Sequence, residues 1–177
     1  MSTTTIEDHV AEVRRRIVRL QVLARTGLVA EGARIQRHLD ALHKEEAAAL
    51  AALRRGPDEV VEKLGQLRTR IAVAENSLVA DVSGEWMTFA AAVEDELRSW
   101  DIYLERLQAT AVAKAGNARE RAEAAIADVR TQRIAVYDRL AQARENVNGA
   151  WHEQRNHVSS ARDELEQKAD ELSAKIK

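Results

Sequence analysis

The chain predicts an all-α protein, an elongated antiparallel three-helix bundle or coiled coil built from long helices, and three observations lead there. Hydrophobic residues make up 45% of the chain and aromatic residues only 3%, so the apolar content is mostly Ala, Leu, Val and Ile, set against 32% charged residues. That mixture is typical of long helices and coiled coils. One proline and seven glycines in 177 residues leave few places to break a helix. Apolar residues then recur at steps of three and four over long stretches, the spacing that keeps one stripe turned toward a partner.

The first predicted helix spans about residues 5–55. Its stripe runs through Ile6, Val10, Val13, Ile17, Leu20 and Ala24, then shifts phase to Ile35, Leu39, Leu42, Leu50 and Leu53. The stretch Arg54-Arg55-Gly56-Pro57-Asp58-Glu59 ends it. Glycine follows the last apolar residue, proline opens the next helix, and two acids sit in the first turn where the helix dipole favours them. The second helix, about 57–115, carries its stripe through Val60, Leu64, Leu67, Ile71, Ala74, Leu78, Val82, Trp86, Phe89, Val93, Leu97, Trp100, Leu104, Leu107 and Ala111. Lys114-Ala115-Gly116-Asn117 supplies the second turn, with Gly116 suited to the left-handed conformation and Glu120 placed for a capping box. The third helix, about 117–176, runs through Ala122, Ile126, Val129, Val136, Leu140, Val147, Trp151, Val158, Ala161, Leu165, Leu172 and Ile176.

Helices of this length measure roughly 75–90 Å, and short connections make neighbours antiparallel, so residues 1–177 read as a single helical rod. Folding the chain about Gly56 sets Gly27 opposite Glu85, next to Gly84, and folding about Gly116 sets Gly84 opposite Gly149. The three weaker breaks then share one level, expected to be a bend with Trp86 and Trp151 beside it. The same register sets the basic run Arg14, Arg15, Arg16 and Arg19 against Glu94, Asp95 and Glu96. A tandem duplication at an offset of about 87 residues, pairing Ile17 with Leu104 and Leu39 with Ile126, is the competing organisation; the turns at Gly56 and Gly116 do not superpose under it.

Composition also bounds function. With no cysteine, disulfides, thiolate catalysis and cysteine metal sites are excluded. The net charge of −2 shows no basic excess of the kind nucleic acid attracts. The opening MSTTTIEDHV is charged where a signal peptide needs its apolar region, and no apolar run is long enough to span a membrane, so a cytoplasmic location is expected.

Gly149-Ala150-Trp151-His152-Glu153-Gln154-Arg155-Asn156-His157 resembles a zinc-protease helix at first sight. Such a helix needs histidines four apart on one face. Here they are five apart, about 140° around the cylinder, and Glu153 with His157 reads as an exposed pair. No Glu-x-x-His motif builds a carboxylate-bridged metal centre, and no phosphate loop or nucleophile elbow is present. No catalytic residue, cofactor or metal is therefore expected. Arg14, Arg15, Arg16 and Arg19 form a candidate anion-binding face, set against an ion-paired one. Trp86, Trp151, Gly27, Gly84 and Gly149 form a candidate partner or bend site, set against core packing.

Residues 95–177 resemble a group of small bacterial coiled-coil proteins associated with stress responses. The resemblance rests on ELRSWDIYLERLQATA, AIADVRTQRIAVYDRL, GAWHEQ and VSSARDELEQKADELSAKI, with a tryptophan in a Leu-Arg-x-Trp-Asp context and a later Ala-Trp. It implies a helical, non-catalytic role and supplies no active-site residues. The expected function is a helical scaffold or stress-associated interaction protein that binds itself or a protein partner through coiled-coil surfaces. The alternative is an amphipathic coat on a lipid membrane or granule, similar to apolipoproteins or phasins.

Overall fold

The computed structural model describes residues 3–25, 32–53, 55–145 and 151–176, which hold six α-helices. They are α1 (Thr3–Arg25), α2 (Gly32–Ala52), α3 (Pro57–Val82), α4 (Trp86–Val112), α5 (Gly116–Glu145) and α6 (Trp151–Ile176). The helices are 21–30 residues long, about 30–45 Å each.

The two strong turns form as the sequence predicts. Pro57 opens α3 with Asp58 and Glu59 in its first turn, and Gly56 takes φ 147°. Gly116 takes φ 56°, a left-handed value that costs glycine little.

The three-helix rod does not form. Six helices stand where three were expected, and between α3 and α4 the chain reverses instead of bending. Between α3 and α4 the backbone turns extended at Ser83 (φ −70°, ψ 124°), whose amide donates to the Ala80 carbonyl and whose hydroxyl donates to the Val79 carbonyl (2.6 Å). Gly27 and Gly149 lie outside the described residues. The contacts fix the directions. Gln66 meets Thr110 and Asn76 meets Ser99, so α3 and α4 are antiparallel. Glu94 meets Arg144 and Asp101 meets Arg133, so α5 runs against α4. Arg16 on Glu75, with Glu12 on Arg68, makes α1 parallel to α3. Folding back lets α3 and α4 bury two faces each, whereas a rod leaves every helix one wet side. A chain of this size gains core that way.

A threefold repetition underlies the arrangement. Ile6, Val13 and Leu20 in α1 correspond to Leu64, Ile71 and Leu78 in α3 and to Val129, Val136 and Ala143 in α5. Ile35, Leu42 and Ala49 in α2 correspond likewise to Val93, Trp100 and Leu107 in α4 and to Val158, Leu165 and Leu172 in α6. All are buried, all are heptad-spaced, and fifteen residues separate Leu20 from Ile35, Leu78 from Val93 and Ala143 from Val158. The unit of the fold is thus a helical hairpin.

Two apolar clusters result. One joins α1, α2 and one face of α3. The other joins α4, α5 and α6 with Val73 and Ala80 of α3. Between them lies a polar layer.

Candidate functional site

The layer between the clusters is built from side chains that flank the apolar stripes. Arg34 and His38 come from α2, Arg70, Ser77 and Asp81 from α3, Glu96 from α4, and Ser159, Arg162 and Glu166 from α6, all buried. A charge removed from water must be paired and hydrogen-bonded, and most of these are. Arg162 Nη1 donates to Asp81 Oδ1 (2.8 Å), Nε to Glu96 Oε2 (2.8 Å), and Nη2 to the carbonyl and hydroxyl of Ser77 (3.2 and 2.9 Å). Arg34 shares the same Asp81 oxygen (2.5 Å) and reaches the Ser159 carbonyl (3.1 Å) and Asp163. Burial works against the charge on Arg162, yet Glu96 and Asp81 outweigh it and raise its pKa.

A second group sits further along. Arg70 Nη2 donates to both oxygens of Glu166 (2.7 and 3.1 Å), and His38 Nδ1 lies 2.9 Å from Glu166 Oε1 without the alignment of a hydrogen bond. Burial pushes Glu166 up, but Arg70 and then His38 pull it further down, to about 2. The Arg70 guanidinium lies over the Trp100 ring at 4.3 Å, a cation–π contact that Lys would make less well. Trp100 is fully buried and its indole N–H has no partner among the described residues.

The layer ends at a cleft of about 230 Å³ lined in part by Lys44, Glu45, Lys63, Gln66, Tyr103, Leu107 and Asp170. Tyr103 donates to Glu45 Oε1 (2.5 Å). Burial raises the pKa of Glu45, against Arg70 and the Tyr103 bond. It also raises Asp170 and, with Glu45 beside it, lifts Tyr103 well above its usual value.

Of the residues singled out in the sequence, Trp86 and Trp151 do come together. Their rings stand 5.5 Å apart, edge to face, and both pack on buried Phe89. Arg155 lies over Phe89 (5.4 Å) and Trp151 (5.5 Å) and donates to the Asp81 and Ser83 carbonyls. This aromatic group marks the end of the α3–α4 hairpin and not a mid-rod bend. Gly84 sits in that connection with open space around it.

The basic run is divided. Arg14 pairs with Glu46 and Arg16 with Glu75, while Arg15 and Arg19 are exposed. The expected partners Glu94, Asp95 and Glu96 belong instead to Arg144, Arg98 and Arg162, because the reversal at Gly84 carries α4 away from α1. His157 lies 3.8 Å from Glu153, both exposed. Among the described residues no group of three or more His, Cys, Asp or Glu is arranged to hold a metal, and no helix is long and apolar enough to cross a membrane.

The sequence reading missed the polar layer altogether. Its signal is that Arg162 and Glu166 directly follow the stripe residues Ala161 and Leu165, and Arg70 precedes Ile71. Such flanking positions are wet in a three-helix rod and dry once a helix is covered on two sides. No family model, no curated protein and no solved structure matches the chain.

Proposed function

We propose that the chain is a non-enzymatic helical interaction protein that works as a closed bundle, binding a second copy or a protein partner through its outer surface. The observation that carries this reading is the polar layer. The inward faces of α2, α3, α4 and α6 hold Arg34, Arg70, Asp81, Glu96, Arg162 and Glu166, and these charges neutralise one another when the hairpins stay together. A helix that opens onto lipid needs an uninterrupted apolar face. Opened, α3 and α6 would set arginines and carboxylates in the middle of that face, which disfavours the coat alternative.

The contact face in this proposal is the aromatic hairpin end, where half-buried Trp86 and Trp151 adjoin Met87, 76% exposed, and the exposed Val82. Large apolar side chains exposed together are the usual signature of an interaction surface. The resemblance of residues 95–177 to stress-associated bacterial proteins supplies the physiological setting of the proposal.

The test is small-angle scattering with light-scattering mass, with and without anionic vesicles, on the wild type and Met87→Glu. A compact particle that ignores vesicles, with association weakened by Met87→Glu, is the expected result. Expansion of the particle onto vesicles overturns the reading in favour of the coat.

A further inference from the structure

The cleft at the end of the polar layer holds a carboxylate with half of its hydrogen-bonding capacity unused. Glu45 Oε1 accepts from Tyr103, but Oε2 is closed off from solvent and meets no protein donor among the described residues. A carboxylate oxygen in that position favours a charge-assisted donor. The neighbouring cations make their hydrogen bonds elsewhere. Arg70 is bonded to Glu166 and stacked on Trp100, reaching Asp170 only at 3.8 Å, and Lys63 donates to Gln66 Oε1 (3.2 Å). Asp170 supplies a second, half-exposed carboxylate to the same cleft, and Leu107 an apolar wall.

We propose that this cleft binds a small aliphatic amine in its ammonium form, the charge held by Glu45 and Asp170 and the alkyl body against Leu107. The site is independent of the proposed contact face. A volume of about 230 Å³ corresponds to about eight waters at liquid density, which suits an amine of a few carbons. A hard divalent cation asks for six or more oxygens, and Lys44 and Lys63 on the rim make that dense negative field unobtainable. An anion, though drawn to those lysines, would have to sit against two carboxylates. An alkylammonium meets both and leaves its methylene groups in the apolar part.

The affinity carries a pH signature. The groups facing Glu45 are Arg70 and Lys63 from α3, Tyr103 from α4, Glu166 and Asp170 from α6, and Lys44 beside it on α2. Burial holds its carboxyl above the ordinary value, so binding weakens on acidification sooner than for an exposed glutamate, while the amine stays protonated throughout.

The experiment is a two-dimensional amide NMR titration of the full chain with n-butylamine, n-butanol and n-butyrate, repeated on Glu45→Gln. The amide introduced by Glu45→Gln would keep an acceptor for Tyr103 and remove a buried charge, so the variant is expected to fold and to melt no lower than the wild type. Expected are shifts at residues around the cleft with butylamine and none with butanol. Glu45→Gln should weaken butylamine roughly tenfold to a hundredfold, the worth of a hydrogen bond to a charged group. Stronger shifts with butyrate, butylamine shifts unchanged in Glu45→Gln, or no shifts with butylamine at tens of millimolar would each overturn the proposal.

Discussion

Replacing Arg162 with methionine tests whether the polar layer orients the helices as argued. The side chain is fully buried and its guanidinium joins Asp81, Glu96 and Ser77. Arg34 and Arg162 face Asp81 and Glu96, two cations against two carboxylates. In Arg162→Met Asp81 keeps Arg34, while Glu96, itself buried, keeps no bonded cation. Removing one partner of a buried pair costs about 3–5 kcal/mol, and methionine fills similar apolar volume, so little is added for a cavity. In a chain of this size about 4 kcal/mol lowers the melting temperature by about 8–16 °C. Arg162→Met/Glu96→Leu removes both charges and should recover most of the loss, leaving roughly 1 kcal/mol for the unpaired Ser77 hydroxyl. The expected coupling between the two positions is therefore about 3 kcal/mol plus the cost of Glu96→Leu alone. Urea unfolding followed by circular dichroism measures it in a double-mutant cycle. Losses that simply add, or a single-variant cost below about 1 kcal/mol, would show that the contacts act as surface pairs do and would refute the reasoning.

Acid unfolding should reveal Glu166. Its folded value of about 2 lies below the ordinary 4.5, so its contribution is complete above about pH 4.5 and is lost as pH falls toward 2. At roughly 1.4 kcal/mol per unit this amounts to about 3 kcal/mol. The stability gap between wild type and Glu166→Gln should shrink over that window, whereas Glu45 and Asp170, both raised by burial, act in the opposite sense in both proteins. Among glycines, Gly56→Ala and Gly116→Ala should each cost about 1–2 kcal/mol, because φ is 147° and 56°. Gly84→Ala, with open space and no positive φ, should be neutral or slightly stabilising in the same melts. Trp100→Ala should cost about 3–5 kcal/mol as a fully buried ring. Half-buried Trp86 should cost visibly less, and equal losses would argue that the hairpin end is ordinary core.

The sequence carried the helix content and both strong turns because those depend on local chemistry: Gly56 before Pro57, a flexible Gly116, and stripes at helical spacing. It also carried the meeting of Trp86 with Trp151. What it did not carry was whether Ser83 and Gly84 bend a helix or reverse it. The local pattern is compatible with either, and the choice lies in whether a second face of α3 and α4 can be covered. That second face is marked by Arg70, Asp81, Glu96, Arg162 and Glu166, charged residues that a stripe-based reading assigns to solvent. The heptad repetition through Ile6, Leu64 and Val129 was equally present, but three hairpins joined at unequal intervals superpose under no single offset.

The pairing along the polar layer explains why its far end differs from its middle. Arg34 and Arg162 answer Asp81 and Glu96, and Arg70 with His38 answers Glu166. Glu45 is left over, bonded to a tyrosine and to no cation among the described residues. A core selected for stability alone would carry glutamine or leucine there, since an ionised carboxyl half closed off from water favours the unfolded chain unless something answers it. The helices accept that cost at the point where the layer opens into a cleft, with Asp170 on the same wall. Buried charge that the fold does not itself neutralise is where stability and function part company. Glu45→Gln separates the two: it should raise the melting temperature and lower amine affinity together, whereas a purely structural Glu45 would move the first and leave nothing to lose in the second.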